Sequence, residues 1–262
     1  MKIVASTATT RNTDLLIDRL YNRKASVFPA QGTSYANNFF SKVERQEENV
    51  DKKRHHIGFM PVGISGAESE KMIIANLLIA RKEYIKAYLK EHFEENGIKT
   101  TIYKEDGTIS LNHAAVYDCI VKDNELISEV DDYWTLLCYY NSMKDVSRTA
   151  SRISNDIENK VHSLSCYDVY SMLTDFVLDK FYNRKSEFTS RVDSHEIKQL
   201  LTDSEKRIKC EKREDGTLCV DGKDIILATN MISVGLDISR FNIMYMAGQP
   251  RAVAEYIQSS SR

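Results

Sequence analysis

Apolar residues fall along this chain in two patterns. An uninterrupted run occurs at Ile225 to Ala228, and short, mainly apolar stretches at Lys2 to Ser6, Trp134 to Tyr140 and Phe241 to Ala247. Such runs suit strands buried on both faces, as in a parallel sheet covered by helices. Helix-spaced stretches lie between them. Thr13 to Tyr21 reads as a short amphipathic helix capped by Asn12 or Thr13. Glu68 to Glu95 is the longest helical pattern: Ile73, Leu77, Ile79, Ala80, Tyr84, Ala87, Tyr88 and Phe93 recur near helical spacing, and Gly97 ends it. Ser165 to Tyr182 reads as an aromatic packing helix. Ser194 begins another, with Ile197, Leu200 and Leu201 inward, and Ala254 to Arg262 forms a last one. Two hairpins turn on the same letters, Asp106-Gly107 and Asp215-Gly216. Strand, polar turn and helix follow each other at Trp134 to Tyr140, Asn141-Ser142 and the polar stretch to about Lys160, which makes a βα unit.

Composition narrows the class without choosing a function. In 262 residues, 42% are hydrophobic and 28% charged, as in a soluble globular protein. The formal charge of -2 excludes a global basic field, so any nucleic-acid contact must come from a local surface. No apolar run approaches a membrane span, and the N-terminus is too poor in apolar residues for a signal peptide. The five cysteines form no Cys-x-x-Cys pair, which argues against a zinc site or disulfide framework and for a reducing, cytoplasmic setting. The basic run Lys52-Lys53-Arg54-His55-His56 is read as a solvated loop or strand end rather than a phosphate contact. His195 is an ordinary histidine near a helix start, not a catalytic one.

The candidate chemistry centres on Ile225 to Ile238. The apolar run stops at Thr229-Asn230, two short polar side chains where a parallel strand delivers its ligand-facing loop. Gly235 permits close backbone approach, and Asp237 offers a carboxylate. Each alone has an ordinary reading: a turn glycine, a capping or ion-paired aspartate, a cation at a helix end. Their joint spacing is what favours function. Ala-Thr-Asn-x(4)-Gly-x-Asp-Ile, an apolar strand, then a helix bearing Gln258-x(3)-Arg262 resembles motifs V and VI of superfamily 2 helicases. Ala-Thr-Asn-Met-Ile-Ser-Val-Gly and Gly-Gln-Pro…Ala-Glu-Tyr-Ile-Gln are most similar to the helicase of the DISARM phage-defence systems. Thr7-Ala8-Thr9 resembles motif III, and Asn141-Ser142 resembles motif IV.

That resemblance implies an α/β, RecA-like domain, with a mainly parallel sheet and helices on both faces. The expected organisation is a motif III segment at 1–24, a partly helical insertion at 25–130 and the second RecA-like lobe at 131–262. It also implies roles. Thr229, Asn141, Ser142 and Arg191 would contact a DNA or RNA backbone. Gly235 and Asp237 would approach ATP, the carboxylate near its ribose. Gln258 would couple to the first lobe of the same protein, and Thr7, Ala8 and Thr9 would link the lobes. Arg262 would face the developing γ-phosphate charge, a task suited to a planar, permanently charged fork. Ser261 stands where the family more often has glycine. Neither Gly-x(4)-Gly-Lys-Ser/Thr nor Asp-Glu-x-His/Asp occurs, so ATP and Mg2+ would be bound mainly by the first lobe and this chain alone would be inactive. The competing expectation is a non-catalytic RecA-like interaction module.

Overall fold

A computed structural model of the chain describes residues 2–6, 12–28, 33–34, 39, 54–122, 124–164, 168–177, 185–212, 218–229 and 240–260. The chain divides into two compact units, Met1–Val62 and Gly63–Arg262.

In the first unit, helix α1 spans Thr13–Tyr21, as its periodicity predicts, and buries no residue. Asn12 occupies the cap position in the left-handed region, φ 52°, but its side chain makes no capping bond. Only its carbonyl serves the helix, accepting from the Leu16 amide at 3.0 Å. The expected buried strand at Lys2 to Ser6 does not form: every residue there is exposed, Val4 by 86%. A strand needs a partner for its amides and carbonyls, and the described residues provide none.

The second unit opens on helix α2, Gly66–Glu95, capped by Ser65, whose hydroxyl accepts from the Glu68 amide at 3.1 Å. It stops where Gly97 enters the left-handed region at φ 61°. The Ile98 amide then reaches back to the Phe93 carbonyl at 2.8 Å and the Gly97 amide to Glu94 at 3.3 Å. The buried row differs from the expected one. Ile79 and Phe93 are inside, but the rest of the row is Glu70, Ile74, Ala75, Leu78, Arg81, Lys82, Ile85 and Leu89, while Tyr84 is 48% exposed. The cause is three charged residues, Glu70, Arg81 and Lys82, that turn inward because partners await them: Lys82 pairs with Asp175 at 2.5 Å and Arg81 with Asp224 at 2.9 Å.

Next comes the expected hairpin, β1 (Thr101–Tyr103) against β2 (Ile109–Leu111), closed by Gly107 at φ 79°. Helices α3 (His113–Lys122) and α4 (Asn124–Asp131) lead to strand β3 (Leu136–Tyr140), buried throughout. Helix α5 (Met143–Arg152) runs through a wide π turn (Ile153–Ile157) into α6 (Glu158–Leu164). Helix α7 (Val169–Val177) falls within the expected aromatic helix. Then follow β4 (Lys185–Phe188), α8 (Ser194–Glu205), β5 (Lys209–Lys212), β6 (Leu218–Asp221), β7 (Ile225–Ala228), β8 (Ile243–Ala247) and α9 (Val253–Ser260). Strands β5 and β6 pair as the predicted antiparallel hairpin; its Asp215-Gly216 turn lies outside the described residues.

The main sheet has the order β4-β7-β3-β8, and every pairing is parallel. Period-two alternation sends its side chains to two cores. Leu136, Cys138 and Tyr140 of β3 and Ile225 and Leu227 of β7 face a large core with Ile74, Leu78, Ile85, Leu89 and Phe93 of α2, and with residues of α3 to α7. Leu137, Phe188, Ile226 and Ala228 face a smaller core closed by Phe241 and by Ile197, Leu200 and Leu201 of α8. The chain is therefore α/β, a parallel sheet flanked by helices, consistent with a RecA-like fold. Truncating a fully buried side chain such as Leu137 to alanine would cost ~2–5 kcal/mol.

Candidate functional site at the carboxyl edge of the sheet

Because all four strands run the same way, their carboxyl ends share one edge, where open α/β sheets place their ligands. The pairing register sets the rows. Phe188, Ala228, Tyr139 and Met246 lie side by side. One residue on, the row becomes Thr189, Thr229, Tyr140 and Ala247, followed by Asn141 beyond β3 and Gly248 beyond β8. The Thr229 amide continues the ladder to the Phe188 carbonyl at 3.3 Å, and Thr229 is 7% exposed.

Four consecutive residues at the end of β3 each bond a different element. Tyr139 Oη donates to Glu255 Oε1 of α9 at 2.5 Å. Tyr140 Oη donates to Glu70 Oε1 of α2 at 2.7 Å, and the Thr149 hydroxyl reaches the same oxygen at 2.7 Å. Arg148 approaches the other Glu70 oxygen at 3.6 Å. Asn141 Nδ2 faces three carbonyls of the turn after β8: Ala247 at 3.5 Å, Gly248 at 3.3 Å and Gln249 at 3.3 Å. An amide nitrogen has two protons, so it serves two of the three at a time. The Ser142 hydroxyl caps α5, accepting from the Asp145 amide at 3.2 Å and donating to its carboxylate at 2.6 Å. Glycine at 248 is required by its φ of 79°.

Burial raises the pKa of Tyr139 and Tyr140 well above the ordinary phenol range, with the neighbouring carboxylates Glu255 and Glu70 adding to it. Burial also pushes Tyr245 up to about 12, with help from Glu70, and drives the Cys138 thiol upward. These phenols stay protonated and act as hydrogen-bond donors. The Cys138 thiol is inert.

The predicted residues divide accordingly. Thr229, Asn141, Ser142 and Arg191 all follow carboxyl ends of strands in one sheet. Arg191 donates to the Ser147 hydroxyl and to the Glu187 carboxylate, both at 2.8 Å, with its side chain 47% exposed. Gln258 is half-buried on α9. Gly235, Asp237, Arg262, Thr7, Ala8 and Thr9 lie outside the described residues. The roles of Tyr139, Glu70, Glu255 and Gly248 escaped the sequence reading, which met Gly248 and Glu255 only inside the segments that carry the resemblance and Tyr139 only inside an apolar strand. Among the described residues, no three His, Cys, Asp or Glu side chains are grouped to hold a metal ion. No helix among them is long and apolar enough to cross a membrane.

No family model matches this sequence, and no solved structure matches it. It is 29% identical over all 262 residues to the DISARM protein DrmA of Bacillus paralicheniformis (strain ATCC 9945a / NCIMB 11709 / CD-2), and it spans 19% of that protein's length. The whole of this chain is thus similar to one part of a DISARM protein.

Proposed function

We propose that this chain is the second RecA-like lobe of an ATP-driven nucleic-acid helicase or translocase acting in phage defence. One observation carries the reading: a parallel sheet whose carboxyl edge gathers Thr229, Asn141, Ser142 and Arg191 after three of its strands, with the helix bearing Gln258 following the fourth. The similarity to a DISARM protein supports it at the level of family.

In this reading the edge does two jobs. Thr229, Ser142 and Arg191 hold backbone phosphates of DNA or RNA, contacts that position a strand without reading its sequence. The segment from Gly235 through Asp237, together with Gln258 and Arg262, closes on ATP bound to a first lobe. That lobe supplies the phosphate loop and Mg2+, for which the described residues here offer no cluster. Charge developing on the transferred phosphoryl group is then met by a cation from across the cleft.

The test compares the 262-residue chain alone with a polypeptide joining it to a first lobe that carries Walker A and Walker B. The joined protein is expected to hydrolyse ATP in response to nucleic acid, and the chain alone to show no turnover above background. Strong nucleic-acid-stimulated hydrolysis by the chain alone would overturn the assignment of lobes. A joined protein that folds and binds nucleic acid without hydrolysing ATP would support an interaction module instead.

A further inference from the structure

We infer that Tyr139 is a positioning residue for helix α9: its hydroxyl, through Glu255, sets the rotation of α9 and so the direction in which Gln258 points. The inference rests on the two-lobe reading above for what Gln258 does, but its structural half stands on the bond itself.

Helix α9 has eight residues, too few to be stable alone in water. Attachments to the sheet must therefore fix its position. Its outer face is visible in the exposure of Val253, 71%, and Ile257, 49%, one turn apart. Its inner face carries Glu255 and, one turn on, Ser259, which is fully buried. Gln258 follows Glu255 by three residues and so neighbours it on the helix surface. Slipping α9 by one residue would swing Gln258 through about 100°.

What holds Glu255 is unusual in being fixed at its far end. Tyr139 is 0% exposed and lies in a central strand paired on both sides. Close packing restricts its phenol, so the 2.5 Å bond to Glu255 ties α9 to the sheet. The next residue does the same in the opposite direction, Tyr140 bracing Glu70 of α2. Two adjacent tyrosines thus tie helices on opposite faces to the end of one strand. Asn141 adds a third tie, to the turn that leads into α9.

The experiment uses Tyr139→Phe, which keeps the ring and deletes the hydroxyl, with Glu255→Gln and Glu255→Ala beside it. In the 262-residue chain, amide hydrogen exchange over residues 253–260 is measured. In the joined two-lobe protein, kcat and KM for ATP are measured with saturating nucleic acid. Tyr139→Phe and Glu255→Ala are expected to speed α9 exchange and to lower kcat about tenfold with KM little changed, the signature of a misdirected rather than missing group. Glu255→Gln, whose amide oxygen still accepts from the phenol, is expected to retain most of the rate. Wild-type exchange and kcat in Tyr139→Phe would overturn the proposal, as would equal losses in Glu255→Gln and Glu255→Ala. If the wild-type joined protein hydrolyses no ATP, the two-lobe reading fails, and exchange over α9 still decides whether Tyr139 holds the helix.

Discussion

Tyr140, the last residue of the central strand β3, donates its phenol proton to Glu70, on the second turn of helix α2, at 2.7 Å and across 70 positions of sequence. The bond joins the helical segment ahead of the sheet to the edge where the candidate residues gather. Glu70 is 5% exposed and also receives the Thr149 hydroxyl. Glu70→Ala would strand two buried hydroxyls, each costing ~1–3 kcal/mol. Chemical denaturation should therefore show a loss of about 2–6 kcal/mol. Glu70→Gln, which keeps one acceptor, should lose less.

Alkaline stability follows from the tyrosines. An unfolded tyrosine ionises near 10, whereas Tyr245 in the fold holds its proton to about 12 because burial disfavours the phenolate. Between those values the unfolded chain binds fewer protons than the folded one, so stability falls as pH rises. The contribution is complete below pH 10 and is lost on approaching 12. Tyr139 and Tyr140, shifted the same way, extend the decline. Thermal denaturation from pH 8 upward should show the melting temperature falling beyond pH 10, and Tyr245→Phe should flatten the first part of that fall.

Arg81 and Asp224 form a buried pair, with side chains 4% and 0% exposed. The Arg81 guanidinium also donates to the Trp134 carbonyl and lies 3.9 Å from the centre of the Trp134 ring. Arg81→Met removes the guanidinium paired with a buried carboxylate and should cost ~3–5 kcal/mol. Arg81→Met with Asp224→Asn should recover part of that loss. Trp134 is the sole tryptophan, so its fluorescence reports unfolding and the altered ring environment together.

Gly222 sits where a Cβ would come within 2.7 Å of Ile208 Cγ2 and 3.3 Å of Trp134 Nε1. Neither neighbour is the loose end of a long chain; Ile208 is 4% exposed and Trp134 1%. Gly222→Ala should destabilise by ~1–3 kcal/mol through overpacking. In an Ile208→Ala background, which lacks Cγ2, the added cost of Gly222→Ala should be smaller.

Under the proposed function, Arg191→Ala should weaken nucleic-acid binding equally across sequences and reduce the salt slope of affinity by about 1. The Glu187 carboxylate that Arg191 now faces at 2.8 Å competes for the same cation. Glu187→Gln should therefore tighten binding. Titrations of a labelled strand at several salt concentrations check both.

The strand-end positions of some candidate residues were legible before the fold. The end of the apolar run at Ala228 put Thr229 at a strand's carboxyl end, and the same logic placed Asn141-Ser142 after β3. The long helix was legible in extent but not in facing. Apolar periodicity marked Tyr84, which is 48% exposed, and passed over Arg81 and Lys82, which are buried. Charged residues are excluded from a core by default, and only the presence of Asp224 and Asp175 reverses that default. Lys2 to Ser6 failed for the converse reason. Its apolar character permits a strand, but permission is not pairing.

Taken by itself, the order of amino acids marked β3, β7 and β8 and the long helix α2, and pointed to a parallel sheet under helices on both faces; it did not mark β4, α3 or α4. Unbroken apolar runs and helical spacing carry that information locally, because burial of an apolar side chain is favourable against almost any apolar neighbour. The three-dimensional arrangement alone decided what the polar residues do: that Tyr139 and Tyr140 brace α9 and α2, that Asn141 spans a turn more than a hundred positions away, and that Glu70 is a buried acceptor. A hydrogen bond is directional and needs one particular partner, and in this chain those partners come from distant stretches that only folding brings into line.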